Sequence, residues 1–249
     1  KDMTMVSMVT SYPFIIHVPA QSPFASFADF VSHARKNPGV LNYASSGVGS
    51  IGHLTAELLN AMAGIETVHI PTRGGTTALS ETLAGRVDFM FEAPTLSLPF
   101  IRSGKLKALA ATSKDRYAVM PELPTVAESL PGYEVYSFIA VGVTGGTPDP
   151  IVQYLNAQMR IALSQSDMTR RLVELGGEPQ ASSVEDINRF VAIEFGKWQK
   201  VIDGRKIVAP GNPCRTACSP AIFVVPYRLS LAGSAPIADT WTNRSEEHT

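Results

Sequence analysis

Short apolar runs alternate with segments of helical periodicity along residues 12–207 of this chain. Gly and Pro interrupt the alternation roughly every 10 to 15 residues, as expected of successive βα units. Residues 14–18 predict a buried strand, and Ser26 then caps a helix whose apolar residues follow helical spacing. Strands that alternate with helices predict an α/β fold with parallel strands, because a parallel connection needs a crossover of helical length.

Composition limits both the class of protein and the class of ligand. The 249 residues are 45% hydrophobic and 17% charged, which excludes a disordered chain. The 21 Lys and Arg balance 22 Asp and Glu, so the chain lacks the basic surface that nucleic acids require. Every apolar run is shorter than the roughly 18 residues of a membrane-spanning helix. We therefore expect a globular protein with a small ligand and no nucleic-acid partner.

The same pattern predicts the later elements. A helix is expected over residues 51–63 with Gly64 as its stop, and a strand over residues 106–111. Closely spaced Pro residues between 121 and 131 indicate a turn-rich crossover. A long β segment follows at residues 133–143, and three helices are expected at residues 149–164, 167–175 and 184–201. The predicted apolar face of the last helix consists of Ile187, Val191, Phe195, Trp198 and Ile202.

Residues 47–52 (GVGSIG) form a G-x-G-x-x-G turn between a predicted strand and a predicted helix. One interpretation is a dinucleotide-binding turn of an NAD-type enzyme, but the next strand lacks the acidic residue that would hold the ribose. A second interpretation is an anion site built from free backbone N–H groups and the hydroxyls of Ser45, Ser46 and Ser50 at a helix N-terminus. A third is a tight turn in which Gly only permits close packing.

A second turn, residues 73–77 (RGGTT), opens another predicted helix after another predicted parallel strand. Open α/β sheets bind ligands at the carboxyl ends of such strands, so both turns are expected to face one crevice. Arg73 is either a partner for a carboxylate or a solvated side chain. Glu92 ends a third strand at the same edge, where it either accepts a hydrogen bond from an ammonium group or lies on the surface.

Neither catalytic nor metal-binding patterns occur in the sequence. His53 and Glu57 are four residues apart on one helix, but there is no H-E-x-x-H and no third ligand nearby. The only two cysteines, Cys214 and Cys218, lack the second ligand pair of a zinc site. Asp88 and Glu92 would lie about 13 Å apart along a strand, too far for a catalytic carboxylate pair. We therefore expect no enzyme, no metal and no cofactor.

The order of short motifs identifies a family. The motifs are residues 41–54, 73–75 (RGG), 85–88 (GRVD), 103–110 (SGKLKALA), 123–128 (LPTVAE), 131–133 (PGY) and 146–148 (GTP). In this order they resemble the Bug/TctC family, the extracytoplasmic solute receptors of tripartite tricarboxylate transporters. The resemblance covers about residues 1–207.

The resemblance implies a two-lobed, type II periplasmic binding protein that closes on a small carboxylate and presents it to membrane transport subunits. The ligand would be a di- or tricarboxylate, an acidic amino acid or an aromatic acid, and the protein a periplasmic monomer. Family members typically hold the carboxylate by backbone and hydroxyl donors and ordered water. The expected ligand-binding residues are Ser45, Ser46, Gly47, Gly49, Ser50, His53, Arg73, Gly74, Gly75, Thr76 and Glu92.

Lobe II is expected over residues 18–110, and lobe I over residues 1–17 together with 111–207. The hinges would lie near Val18 and residues 110–112. Lobe I is expected to be incomplete, because the family's secretion signal, first strand and ligand-gripping loop have no counterpart here, and such a fragment would expose apolar surface. The turn at residues 73–77 departs from the family's more frequent third Gly and Pro-Ala. Residues 208–249 match nothing in the family and are expected to be a disordered or artefactual tail.

Overall fold

The computed structural model describes residues 3–208. The predicted tail and both cysteines lie outside these residues, apart from Val208. The elements in chain order are β1 (Met3–Pro13), β2 (Ile15–Pro19), α1 (Phe27–Lys36), β3 (Asn42–Ser45), α2 (Ile51–Ala63), β4 (Val68–Pro71), α3 (Gly75–Leu83), β5 (Phe89–Glu92), α4 (Pro94–Arg102), β6 (Leu106–Ala111), α5 (Val126–Ser129), β7 (Tyr136–Thr144), α6 (Asp149–Leu163), α7 (Ser166–Glu174), β8 (Glu178–Pro179) and α8 (Val184–Arg205).

The strands form two sheets. A five-stranded sheet has the order β4-β3-β5-β2-β6, and a three-stranded sheet has the order β7-β1-β8. Strand β3 runs parallel to β4 and β5, whereas β2 runs antiparallel to β5 and β6. The three-stranded sheet is antiparallel. The α/β class is therefore confirmed, but the sequence indicated neither the antiparallel β2 nor this antiparallel sheet. The chain changes sheet at Phe14; the proposed division into lobes stays a prediction.

Local sequence signals fix several element boundaries. Ser26 caps α1, and its hydroxyl accepts a hydrogen bond from the Asp29 N–H, as predicted. Helix α2 begins and ends at the predicted residues, and Gly64 follows it with a left-handed φ of 62°. That conformation strains any side chain with a Cβ, which explains why glycine ends this helix. Strand β6 also has the predicted bounds.

The predicted apolar face of α8 is wrong at one residue. Ile187, Trp198 and Ile202 are buried, but Phe195 is 45% exposed. Phe195 lies roughly 80° around the helix axis from Ile187, whereas Glu194 lies within roughly 20° of it. Glu194 therefore faces inward, where its carboxylate accepts a hydrogen bond of 2.9 Å from the indole N–H of Trp198. The sequence also gave no sign that Met3–Pro13 forms the longest strand.

One large apolar core joins the five-stranded sheet to the helices on its face. Phe30 of α1 packs edge-on against Phe89 of β5, at 4.8 Å between ring centroids. Trp198 and Ile202 of α8 belong to the same core, together with Leu54 of α2. The C-terminal half of α8 thus packs against α2, the helix that follows the predicted ligand turn. No helix among residues 3–208 is both long and apolar enough to cross a membrane.

A buried polar network fastens α2 to β3 and α8. The Glu57 carboxylate accepts hydrogen bonds from the Tyr43 hydroxyl at 2.7 Å and from the Asn60 amide at 3.2 Å. Its second oxygen accepts a hydrogen bond of 2.6 Å from the Arg205 guanidinium, the last residue of α8. The Glu57 side chain is only 10% exposed, so this ion pair is shielded from solvent. An isolated buried carboxylate would be costly, and the three donors offset that cost.

Replacing Arg205 by alanine should destabilise the fold by roughly 2 kcal/mol, because Glu57 would keep a buried charge without its cation. Urea unfolding followed by circular dichroism measures the loss. Arg189→Ala is the matched control, since Arg189 pairs with Asp186 at the surface and is 70% exposed; that variant should lose less than about 1 kcal/mol. Equal losses in the two variants would contradict a structural role for the Glu57 pair.

Candidate functional site

Three parallel strands end at one edge of the five-stranded sheet. Ser45 of β3 lies opposite Pro71 of β4, and Ala44 lies opposite Met90 of β5. The strands therefore end side by side at Ser45, Pro71 and Glu92, and each is followed by a turn and a helix N-terminus. The prediction that both turns and Glu92 reach the same edge is confirmed.

The first turn is organised around the hydroxyl of Ser45, which is 1% exposed. This hydroxyl accepts a hydrogen bond from the Gly47 N–H at 3.2 Å and lies 2.7 Å from Nε2 of His69. Ser50 donates to it at 3.3 Å and also caps α2. The hydroxyl of Ser45 is therefore fully hydrogen-bonded within the protein, whereas the neighbouring Ser46 is exposed to solvent.

Glycines in the first turn serve the backbone as well as the site. Gly47 and Gly49 have φ values of 134° and 80°, which favour glycine. A Cβ on Gly52 would lie 3.1 Å from the Phe91 carbonyl oxygen, so α2 starts close against β5. The interpretation of the glycines as packing residues is therefore confirmed for Gly52, and the N–H groups of Gly47 and Gly49 are already hydrogen-bonded within the protein.

Two neutral histidines, His53 and His69, hydrogen-bond to the first turn and hold it in place. The rings of His53 and His69 stack with centroids 3.9 Å apart, and Tyr43 stacks on His69 at 5.0 Å. Nδ1 of His53 accepts a hydrogen bond of 3.0 Å from the Gly49 N–H, which requires that this nitrogen carry no proton. Burial lowers the pKa of His53. Burial, together with the repulsion that a protonated His53 would exert, lowers the pKa of His69 to about 4.

The second turn leaves the N-terminus of α3 without a side-chain cap. Gly74 stands at the N-cap position with a φ of 129°, and no side chain accepts from the first turn of this helix. Thr72, which the sequence analysis did not single out, fixes the turn to β3: its hydroxyl is 3.0 Å from the Ser45 carbonyl and 2.8 Å from the Gly74 carbonyl. The N–H groups of Gly75 and Thr76 are thus directed at the sheet edge by helix geometry.

Glu92 reaches the same helix N-terminus from β5. One of its oxygens accepts a hydrogen bond of 2.7 Å from the Ala93 N–H. The other lies 2.8 Å from the point that a Cβ on Gly75 would occupy, so the carboxylate rests against the start of α3. Burial raises the pKa of Glu92, and its bond to Ala93 opposes that shift in part.

The other predicted site residues are either exposed to solvent or bound to groups of the protein. Arg73 is exposed, and no ion pair within residues 3–208 includes it. His53 and Glu57 lie on the same helix but bind to protein groups: Gly49 in one case, Tyr43 and Arg205 in the other. Residues 3–208 contain no group of three or more His, Cys, Asp and Glu that could hold a metal.

Two cavities lie away from this edge. One of about 350 Å³ is at the opposite end of the same sheet, next to Leu41 and Val87, which precede β3 and β5. The other, of about 510 Å³, lies on the three-stranded sheet next to Tyr136, Glu178 and Lys197. Neither cavity is lined by residues 45–52 or 73–77. The candidate site is therefore assigned by the uncapped start of α3 at this edge and not by cavity size.

The pKa of His69 should lie far below that of an ordinary histidine, because burial and the neighbouring His53 disfavour the protonated imidazole. NMR of the folded protein should give a midpoint at about 4 for His69, against about 6.5 for the same ring in urea. The unfolded chain then binds the proton first, so stability should fall as pH drops from about 6.5 toward 4. His69→Gln should make that fall shallower; a folded midpoint near the urea value would contradict this arrangement.

The sequence is similar to proteins of one family. The family described as "Tripartite tricarboxylate transporter family receptor", TctC, matches residues 1–207. A protein from the tcbD-tcbE intergenic region of Pseudomonas sp. is 37% identical over 204 residues, or 81% of this chain and 61% of that protein. Protein BugT of Bordetella pertussis is 29% identical, over 81% of this chain and 62% of that protein. The chain thus spans less than two thirds of the length of these relatives.

Solved structures show the same fold. An R. palustris protein with adipate is 35% identical, with a TM-score of 0.78 over 84% of this chain and 70% of that chain. MatC from Rhodopseudomonas palustris, with bound malate, is 31% identical, with a TM-score of 0.73 over 80% and 69%. Such receptors are not enzymes, so the comparisons favour a receptor over the alternative of an NAD-type enzyme at residues 47–52. The fold at this sheet edge and the match over residues 1–207 show that the chain belongs to the TctC family of tripartite tricarboxylate transporter receptors.

Proposed function

We propose that this chain is an extracytoplasmic receptor that binds a small carboxylate and delivers it to the membrane subunits of a tripartite transporter. The observation that carries the proposal is the uncapped start of α3 beside the first turn, at the carboxyl edge of the sheet. Helix N-termini attract anions through free N–H groups and the helix dipole. The adipate and malate in two similar structures support a small carboxylate as the class of ligand.

The donors for this carboxylate would come mainly from the backbone. The hydroxyl of Ser45 and the ring of His53 are already bound within the protein, so they would shape the turn and leave the ligand to other groups. The hydroxyl of Ser50 is likewise bound to Ser45. The hydroxyl of Ser46, the N–H groups of Gly75 and Thr76, and ordered water remain as donors. Arg73 would contribute charge to the entrance only, since its side chain points into solvent.

Two chain connections beside the site would act as the hinge between lobes. The segment between β1 and β2 and the segment after β6 lie next to each other, because the Thr112 hydroxyl accepts from the Phe14 N–H at 2.8 Å and donates to the Val135 carbonyl at 2.7 Å. Because the two connections lie side by side, only a few residues need to change conformation when the two sheets close over a ligand, as in other hinge motions. This supports the predicted hinge at residues 110–112.

Gly75→Pro should weaken carboxylate binding, because it removes the N–H of the first helical residue of α3. Proline is well tolerated at this position of a helix, and hydrogen bonds to charged groups contribute about 1.5–3 kcal/mol. The affinity for adipate or malate, measured by calorimetry, should fall about tenfold or more.

Gly75→Ala is the matched control for this variant. It introduces the same Cβ beside Glu92 but keeps the N–H, so its affinity should stay well above that of the proline variant. Equal affinities in the two variants would contradict a ligand at the start of α3. Binding of NAD with no binding of either acid would overturn the proposed function.

A further inference from the structure

Glu92 carries a negative charge that no neighbouring cation neutralises. No ion pair within residues 3–208 includes it, and its one hydrogen bond comes from the Ala93 N–H. The side chain is partly buried beside Leu96 and Gly75. Desolvation without a counter-ion is unfavourable for a carboxylate. Such a group in a ligand site therefore favours a ligand that brings a positive charge.

The surroundings of Glu92 leave its second oxygen open to a ligand. The Tyr12 hydroxyl approaches from β1, and the charge of Glu92 is one of the causes that raise the Tyr12 pKa, after burial. The Tyr12 side chain is a neutral phenol, so it does not neutralise the charge of Glu92. Tyr12 and Ser137 belong to the three-stranded sheet, so Glu92 lies where the two sheets face each other.

We infer that Glu92 binds an ammonium group of the ligand and so selects amino dicarboxylates over dicarboxylates without an amino group. This inference rests on the proposed function. The Gly75 and Thr76 N–H groups would hold one carboxylate of the ligand, and the Glu92 oxygen lies next to that position. An α-amino acid carries its ammonium and its carboxylate on the same carbon, so both groups fit this pair of partners at once.

A dicarboxylate without the amino group would be a poorer fit at neutral pH. It would bring a second negative charge beside Glu92 in a site partly shielded from water, where like charges repel more strongly than in bulk solvent. The exposed Arg73 is too well solvated to offset this repulsion. Selectivity would thus follow from the charge of Glu92 and not from ligand length.

The test compares two matched pairs, aspartate with succinate and glutamate with glutarate, by calorimetry at pH 7.5. At least one amino acid should bind tenfold or more tightly than its partner acid, and Glu92→Gln should reduce that preference at least tenfold. Glu92→Asp keeps the charge and should retain the preference. Glu81→Gln is the control, because it removes a carboxylate from the C-terminal end of α3, away from Gly75, where Glu81 pairs with Arg86. It should leave the preference unchanged.

The outcomes separate this inference from the proposed function. Succinate or glutarate binding as tightly as its amino acid, with no change in Glu92→Gln, would overturn the role of Glu92 but leave a carboxylate receptor. Absence of binding for all four ligands and for adipate and malate would overturn the proposed function itself. Circular dichroism melting of each variant verifies that it is folded. If Glu92→Gln is not folded, Glu92→Ala provides the readout, because it also removes the charge and should lose the preference.

Discussion

The parallel pairing of β3 with β4 and β5 determines where the chemistry of this protein can occur. Because the strands run the same way, their carboxyl ends and the helix N-termini that follow must meet at one edge. Two turns and Glu92, separated by long stretches of chain, are thereby brought within contact distance. A shift of one residue in this register would turn the side chains of β3 to the other face and separate Ser45 from His69.

At this edge most side-chain polar groups are occupied by the protein itself. Ser45, His53 and His69 hold the first turn in place, and Thr72 ties the second turn to β3. Backbone N–H groups therefore remain as the chief donors, which suits a ligand recognised by charge and shape. Glu92 is the exception, since it presents an acceptor with no partner cation among the described residues.

The residues that hold the site in place extend well beyond the carboxyl edge of the sheet. Glu57 lies one turn below His53 on α2 and binds Tyr43 of β3 and Arg205 of α8. The helix that starts at the ligand turn is therefore held by β3 and by the last residue of the long C-terminal helix. Trp198 and Ile202 pack into the same core, so α8 links the stability of the five-stranded sheet to residues far along the chain. A binding turn can keep its shape only when the helix behind it is fixed in this way.

The sequence by itself determined the alternation of strands and helices from β2 to β6, the bounds of α2 and β6, and the identity of the two glycine turns, because capping residues and hydrophobic spacing act locally. It also identified the family from the order of short motifs. Only the tertiary structure decided that Thr72 and the pair of His53 and His69 organise the turn, that β2 runs antiparallel, and that Glu194 faces inward in place of Phe195. These features depend on contacts between residues that are distant in sequence. Such contacts also decide whether a polar group is already hydrogen-bonded within the protein or remains free to bind a ligand.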